Sequence, residues 1–342
     1  MIITRTPFRI TLGGGGTDLP SFYEQHGGYV FTMAINKYMF ICLNRRSIAD
    51  RKIVIRYSQV ETVDSVDEIN HPLAREALKL HGIHENIELT SIADMPGKSG
   101  LGSSGSYLVG LLTALRAFKN DVASAHVIAE EACHIEMNIL KEPVGKQDQY
   151  IAALGGFQVL NIDKTGRVQT HAVPVDFVTV NELVAKARVY YTGIQRSANS
   201  VLQKQDAAAR KGGAPDKNAV VDSLIHIKEI GHKIEKAFRD RDLDTFGRLM
   251  DEHWQQKRRL STGVSLSVVD EMYDQVKKDF NVLGGKIIGA GGGGFLMLYT
   301  PDKGRELDAF MAGHDMPRVS IFPTLQGSKV VTDLTSFDDF DH

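Results

Sequence analysis

The sequence predicts an α+β protein of two domains. Its 342 residues exceed the length of one ordinary domain, and hydrophobic residues make up 42% of them, which is sufficient for two cores. Strand-like segments and three helices fill the first half, whereas long helices followed by a strand, a glycine turn and a strand fill the second. We therefore expect a mixed-sheet domain at residues 1–180, and helices against an antiparallel sheet at residues 181–342.

The charge indicates which partners to expect, and the cysteine content indicates the redox state and the compartment. Forty basic residues oppose 42 acidic ones, giving a net charge of -2, so neither nucleic acid nor an anionic membrane is expected as the main partner. Cys42 and Cys133 lie in apolar runs without the short Cys/His spacing of a metal site, which indicates reduced core residues of a cytoplasmic protein. The N-terminus lacks the pattern of a signal peptide, so we expect none.

The first chemistry-bearing segment follows the first strand. Residues Ile2–Leu12 alternate in the manner of a strand and end at four consecutive glycines, Gly13–Gly16, which are followed by Thr17 and Asp18. Consecutive glycines have a high conformational entropy in the unfolded chain. A loop that carries them is therefore expected to let another group approach its backbone closely.

A second glycine-rich loop is the centre of the pattern. It combines glycines and serines and then continues into apolar residues at helical spacing. Glycines permit positive φ angles, and the N-terminus of the following helix offers unpaired N–H groups to an anion. The loop therefore predicts a phosphate site made of Pro96, Gly97, Lys98, Ser99, Gly100, Leu101, Gly102, Ser103, Ser104 and Gly105.

Two common phosphate motifs fit this loop poorly. Gly100–Gly105 matches GxGxxG, but seven residues separate it from the preceding strand, and Asp121 lies between two helices rather than at the end of a strand. The Walker pattern fails because Ile92 stands where its leading glycine is required. A dinucleotide-dependent oxidoreductase remains one alternative, and a purely structural turn is another.

Two carboxylates follow the second loop. The helix predicted at Ser124–Leu140 places Glu136 beside its apolar stripe, where a charge needs a partner, although a salt-bridged helix residue would look the same. Asp148 lies in a predicted loop, Lys141–Tyr150, where a plain turn residue is the simpler interpretation. Together with the serine hydroxyls, these carboxylates are the groups that Mg²⁺-assisted phosphoryl transfer requires.

The second half begins after a boundary predicted at residues 176–183. A strand is expected at Ala187–Thr192, and long helices at Ala219–Arg239, Leu243–Leu260 and Val268–Lys278. A third glycine-rich turn, Gly289–Gly294, then separates two short strands.

The three loops resemble, in order and spacing, the three motifs of the GHMP small-molecule kinases, a superfamily named for galactokinase, homoserine kinase, mevalonate kinase and phosphomevalonate kinase. Pro7–Asp18 is similar to the first motif, Pro96–Gly105 to the second and Gly289–Gly294 to the third. The Gly-Gly-Gly-Gly-Thr-Asp ending of the first differs from the galactokinase form and resembles the branch that phosphorylates deoxyhexoses and heptoses. The resemblance implies the two-domain GHMP kinase fold, with a ferredoxin-like α+β C-terminal domain.

The resemblance also implies roles for individual residues. Asp148 matches the catalytic aspartate and Arg9 the basic residue of the first strand, whereas Glu136 and Ser104, with Ser103 as the neighbouring option, match ligands of Mg²⁺. Asp18 matches the acid that binds sugar hydroxyls. The other residues expected to surround the sugar are Gly13, Gly14, Gly15, Gly16, Thr17, Gly291, Gly292 and Gly293. We hypothesise that Arg196 or Lys98 contacts a distal phosphate of the substrate.

The implied activity is transfer of the ATP γ-phosphoryl group to the anomeric hydroxyl of D-glycero-D-manno-heptose 7-phosphate, a step toward nucleotide-activated heptose. The expected ligands are ATP, Mg²⁺ and a sugar phosphate. A kinase of the same fold for another sugar, such as L-fucose, is an alternative, as is a binding protein that has lost catalysis. The sequence gives no oligomeric state.

Overall fold

The structure is a computed structural model, and it describes residues 1–46, 51–97, 99–194, 215–258, 260, 267–289, 291 and 293–334. Three residues of the sequence-based predictions, Lys98, Arg196 and Gly292, lie outside the described residues. Cys42 and Cys133 are both free thiols, Cys133 buried and Cys42 half-buried. No helix in the described ranges is both long and apolar enough to span a bilayer.

The first sheet is built on two long strands, β1 (Ile2–Gly13) and β2 (Gly28–Arg45), which pair along most of their length. The other strands of this sheet are β3 (Ile53–Arg56), β4 (Val60–Val63), β5 (Ile87–Ala93), β6 (Phe157–Ile162), β7 (Val168–Ala172) and β12 (Lys329–Asp333). Their order is β12-β1-β2-β5-β3-β4, and β6 pairs with the first half of β2 and with β7. The β3–β5 pair is parallel and the other described pairs are antiparallel, which confirms the mixed sheet.

Several helices belong to this half of the chain, and the one that follows the second loop packs directly on β1 and β2. These helices are α1 (Pro20–His26), α2 (Pro72–Leu80), α3 (Ser103–Phe118), α4 (Ala125–Cys133) and α5 (Gln147–Leu154). Helix α3 is central: the leucines predicted to form its buried face, Leu108, Leu111, Leu112 and Leu115, are fully buried. Because α3 packs directly on β1, its N-terminus is fixed beside the end of that strand.

Two local predictions in this domain were wrong. The helix predicted at Ser124–Leu140 ends as an α-helix at Cys133 and continues as a π-helical segment, His134–Ile139. The loop predicted to reach Tyr150 ends earlier, because α5 begins at Gln147, two residues after Gly145. A proline and a glycine correctly indicated a break, but they did not indicate how soon the chain would become helical again.

The second sheet lies in the C-terminal half. Its strands are β8 (Ala187–Tyr191), β9 (Gly284–Ile287), β10 (Phe295–Tyr299) and β11 (Arg318–Val319), in the order β11-β8-β10-β9. All of these pairs are antiparallel, as predicted. The helices are α6 (Phe177–Lys186), α7 (Pro215–Arg239), α8 (Leu243–Arg258), α9 (Ser267–Asp279) and α10 (Gly304–Ala312).

The two halves share one apolar core. Phe238 of α7 contacts Phe31 of β2 and Phe157 of β6 in the first domain, with ring centroids 5.5 and 5.1 Å apart, and Phe246 of α8 on its other side. Strand β12 returns to pair with β1, so the first sheet includes residues from the end of the chain. The division at residue 180 stays a prediction, whereas the shared core packs the two halves directly against each other.

Candidate active site

An ion pair between Arg9 and Asp148 occupies the centre of the cleft. Arg9 lies on β1 with 6% of its surface exposed, and Asp148 lies in the first turn of α5. The guanidinium Nε and Nη2 donate to the two carboxylate oxygens at 2.7 and 2.9 Å, which is the bidentate geometry of a strong pair. A third donor, Nη1, binds the carbonyl oxygen of Gly100 and thereby joins the pair to the second loop.

Asp18 lies beside this pair and is 1% exposed. Its carboxylate accepts hydrogen bonds from the backbone N–H groups of Gly16 and Gln147, both at 3.2 Å, and from the Gln147 side chain at 3.3 Å. Burial, and then the nearby charge of Asp148, raise the pKa of Asp18 above its ordinary value. Arg9, Asp18 and Asp148, which the sequence predicted as site residues, are therefore brought together.

The first glycine loop is packed against protein on two sides. A Cβ on Gly14, whose φ is +76°, would lie 2.0 Å from the Tyr29 carbonyl oxygen, and a Cβ on Gly13 would lie 2.8 Å from the Cα of Gly231 in α7. Strand β2 and helix α7 are thus groups that approach this backbone closely, a reason for the glycines that the sequence did not reveal. The expected contact of the loop with a sugar stays a prediction.

The second loop leads into the N-terminus of α3, which no side chain caps. Gly102 precedes the helix in the left-handed conformation, with φ +81°. The hydroxyl of Ser99 is buried and has no hydrogen-bond partner among the described residues. Uncapped N–H groups, the positive end of a helix and an unpartnered hydroxyl fit the phosphates of a nucleotide.

The second and third loops touch through their backbones. A Cβ on Gly100 would lie 2.5 Å from the Ile288 carbonyl oxygen. In turn, a Cβ on Gly289 would lie 2.5 Å from the Gly100 carbonyl oxygen. Likewise, a Cβ on Gly294 would lie 2.2 Å from the carbonyl oxygen of Ser99. The predicted loop residues Gly291 and Gly293 lie in the same turn with positive φ angles. Side chains at these contacts would separate the two domains.

Glu136 is 2% exposed and lies in the π-helical segment after α4. Such segments occur often at functional sites. Burial raises the pKa of Glu136 to about 7, although hydrogen bonds from Gln149 and Ser104 favour its charged form. One carboxylate next to one hydroxyl suits Mg²⁺, which usually takes one or two protein ligands and completes its shell with substrate phosphates and water.

Two alternatives lose support from the structure. Asp121, the acid required by a dinucleotide site, lies after α3 and pairs with Arg116 rather than ending a strand. The second loop contacts the third loop and Arg9, so it is more than a local turn.

Several residues at the site were missed by the sequence analysis. Gln147 binds Asp18, and its Oε1 accepts a hydrogen bond from Thr11 at 2.5 Å. Lys257 and Lys286 are 7% and 2% exposed. Each donates a hydrogen bond to a backbone carbonyl oxygen at a glycine loop, Lys257 to that of Gly289 and Lys286 to that of Leu12. Lysines at the end of an amphipathic helix or in a short strand ordinarily lie at the surface, so no sequence signal indicated their burial.

Family models match both halves of the chain. The model described as the N-terminal domain of GHMP kinases matches residues 69–156, and that of the GHMP kinase C-terminal region matches residues 234–310. The first match contains the second loop, Glu136 and Asp148, and the second contains Lys257 and the third loop.

Individual relatives are also similar over most of the chain. A D-glycero-alpha-D-manno-heptose 7-phosphate kinase from Campylobacter jejuni is 28% identical over 87% of this chain and 89% of its own length. An L-fucokinase/L-fucose-1-P guanylyltransferase from Bacteroides fragilis is 27% identical over 87% of this chain, but over only 34% of its own length. The crystal structure of a D-glycero-D-manno-heptose 1-phosphate kinase from Bacteroides thetaiotaomicron superimposes with a TM-score of 0.77 at 20% identity, covering 98% of this chain and 100% of that one.

Proposed function

Because the chain belongs to the GHMP kinases through both of its domains, we propose that it transfers the γ-phosphoryl group of ATP to the anomeric hydroxyl of D-glycero-D-manno-heptose 7-phosphate. The product would be the 1,7-bisphosphate. The observation that carries the proposal is the bidentate Arg9–Asp148 pair, which lies between the uncapped N-terminus of α3 and the buried carboxylate of Asp18.

In the proposed step Asp148 orients the sugar hydroxyl and accepts its proton. Each carboxylate oxygen that binds Arg9 retains a lone pair for this purpose. The hydroxyl oxygen forms a bond to the γ-phosphorus, the bond from that phosphorus to the bridging oxygen breaks, and ADP leaves with the electron pair. Arg9 contributes positive charge beside the reacting oxygen, which lowers the pKa of the hydroxyl.

The nucleotide would bind at the second loop. Backbone N–H groups at the start of α3 and the free hydroxyl of Ser99 are suitable donors for its phosphates. Glu136 and Ser104 would hold Mg²⁺, which neutralises phosphate charge when bound. Asp18 would bind sugar hydroxyls through whichever of its oxygen lone pairs the backbone leaves free.

The choice of a heptose phosphate rests on the relative from C. jejuni, which is named for that substrate. L-fucose is the second candidate, because a comparably similar relative is a fucokinase. These two substrates differ in a distal phosphate, which only the heptose carries and for which Arg196 or Lys98 is the proposed contact.

A direct assay would separate these candidates. ATP consumption would be measured with heptose 7-phosphate, the unphosphorylated heptose, L-fucose and galactose, and the products would be identified by phosphorus NMR. We expect the highest kcat/KM with heptose 7-phosphate and a new phosphate at C1. Preferential turnover of L-fucose would assign the second function, and a new phosphate at any other carbon would overturn the 1-kinase assignment.

A further inference from the structure

A group of cationic side chains is buried next to the glycine loops. Lys257 on α8, Lys286 on β9 and Arg9 on β1 are each less than a tenth exposed. Arg9 has a carboxylate partner in Asp148. The hydrogen-bond partners of the two lysines, within the part of the chain that the structure describes, are backbone carbonyl oxygens, those of Gly289 for Lys257 and Leu12 for Lys286.

Counting only residues that the structure describes, this arrangement leaves N–H donors of both ammonium groups without an acceptor. An ammonium group has three N–H donors, and each lysine uses one of them on the carbonyl named above. Burying a cation without a counter-charge is unfavourable, since a single carbonyl only partly replaces the lost water. Burial, and then the charge of Arg9, lower the pKa of Lys257 to about 8, whereas the charge of Asp18 raises it. The group is therefore well suited to an anionic ligand.

The position of Lys257 identifies the place of that anion. Its ammonium binds the Gly289 carbonyl, Gly289 contacts the backbone of Gly100, and the Gly100 carbonyl accepts a hydrogen bond from Arg9. Lys257 and Arg9 are therefore linked through one contact between the second and third loops, and they lie close enough for the charge of Arg9 to act on Lys257. Arg9 holds Asp148, so in the proposed kinase step the phosphoryl group in transfer is the anion that these cations would bind.

We propose that Lys257 is a further catalytic residue, whose ammonium group donates a hydrogen bond to the phosphoryl group as it passes from ATP to the sugar hydroxyl. Lys257 stays protonated in this step; the hydroxyl proton goes to Asp148 and ADP leaves with the electron pair. Lys286 has a different part, because its bond to Leu12 at 3.0 Å braces the start of the first loop. The inference rests on the proposed kinase function.

The test compares Lys257→Met, which removes the charge at similar volume, with Lys257→Arg, which keeps it. We expect kcat of the methionine variant to fall about 10²- to 10³-fold, as after loss of one preorganised transition-state donor. KM for the sugar phosphate and Kd for ADP should stay within about threefold, and arginine should recover at least tenfold of the lost kcat. Lys277→Met is the matched control, because Lys277 of α9 already has a carboxylate partner in Asp251 of α8.

A second readout does not depend on turnover. Aluminium fluoride with ADP mimics the phosphoryl group in transfer, so calorimetry would measure how much it tightens ADP binding in the presence of the sugar phosphate. We expect this tightening in the unmodified chain and its loss in Lys257→Met. Lys257→Gln provides a second neutral variant, so the result does not depend on the folding of one protein.

Several outcomes would overturn the proposal. These are kcat within threefold of normal in both neutral variants, equal tightening by aluminium fluoride, an arginine variant as slow as the methionine variant, or an effect confined to KM for the sugar phosphate. The last would place a distal phosphate at Lys257. Normal kinase activity of the unmodified chain combined with any of them contradicts this inference alone, whereas inactivity on every sugar contradicts the proposed function.

Discussion

Asp148 and Arg9 lie 139 positions apart in the chain and meet because the first turn of α5 packs against β1. Buried ion pairs of this kind are weak evidence for stability, since desolvation offsets much of the attraction. Their geometry is stronger evidence for function, because both oxygens of Asp148 are oriented by one rigid guanidinium.

Replacing Asp148 with asparagine tests the base directly. The amide keeps the shape of the side chain but cannot accept the hydroxyl proton, so we expect kcat to fall by about 10³-fold or more while ADP affinity is retained. Asp163→Asn is the control, because Asp163 is an exposed turn residue between β6 and β7. Near-normal kcat in the Asp148 variant, measured by coupled ATP consumption, would exclude the role of base.

Ionisation of Glu136 is expected to make Mg²⁺ binding at the site depend on pH. Its pKa of about 7 lies above the ordinary value of 4.5, and Mg²⁺ requires the ionised form. We therefore expect the Mg²⁺ concentration for half-maximal rate to fall about tenfold between pH 6 and pH 8, since roughly a tenth of the carboxylate is ionised one unit below its pKa. A Mg²⁺ requirement independent of pH would contradict the assignment.

Without metal, the same shift affects stability. A carboxyl whose pKa is raised by folding stabilises the protein in its protonated form, so this contribution is complete below about pH 4.5 and is lost as the pH rises through 7. Glu136→Gln cannot ionise and should lack this loss. The measurement is Tm between pH 5 and 8 for both proteins in EDTA, and parallel curves would contradict the expectation.

Among the elements, α7 and β2 determine the shape of the first loop. Gly231 of α7 faces Gly14, and a Cβ at position 231 would lie 2.9 Å from the Gly14 nitrogen. The helix can approach the loop because both sides of the contact lack side chains. Four consecutive glycines are therefore a packing requirement at least at Gly13 and Gly14, in addition to any contact with a ligand.

The Gly231→Ala variant tests whether the close contact with the first loop outweighs the higher helix propensity of alanine. Alanine favours a helix by about 1 kcal/mol over glycine, yet its methyl group would force the loop to move, at a cost of about 1–3 kcal/mol. We expect a lower free energy of unfolding and a raised KM for the sugar, with ADP affinity unchanged. Glu229→Ala, at an exposed position of α7, is the control. Greater stability of the Gly231 variant would show that the contact can relax.

At the scale of the whole molecule, the end of the chain completes the first sheet. Strand β12 pairs with β1, the strand that carries Arg9. Just before it, the Ser328 hydroxyl lies 2.8 Å from that of Thr6 on β1 and 2.9 Å from that of Thr113 on α3. The C-terminal segment therefore ties together two elements that build the cleft.

A chain ending at residue 326 would lose β12 and these hydroxyl contacts. We expect a loss of about 2 kcal/mol or more in the free energy of unfolding, or roughly 3 °C in Tm, together with faster hydrogen exchange in β1. A chain ending at Leu334 retains every contact described above and is the control. Equal Tm values for the two truncated chains would mean that β12 contributes little.

Sequence alone determined the class of the fold and the main parts of the site. Glycine-rich loops at three separated positions, an apolar face on α3 and a carboxylate beside an apolar stripe are local patterns, which depend on side-chain periodicity and on the conformational freedom of glycine. They were sufficient to indicate the phosphate loop, Glu136 and Asp148 as candidates, whereas Arg9 became a candidate only through the resemblance to the GHMP kinases.

Tertiary structure decided which distant residues meet. It placed Arg9 against Asp148, supplied α7 as the neighbour of the first loop, and buried Lys257 and Lys286 below the glycines. No local pattern marks these lysines, because a buried cation has the same sequence signature as an exposed one. Burial and charge partners are properties of long-range packing, so the electrostatics of the cleft became visible only in the folded chain.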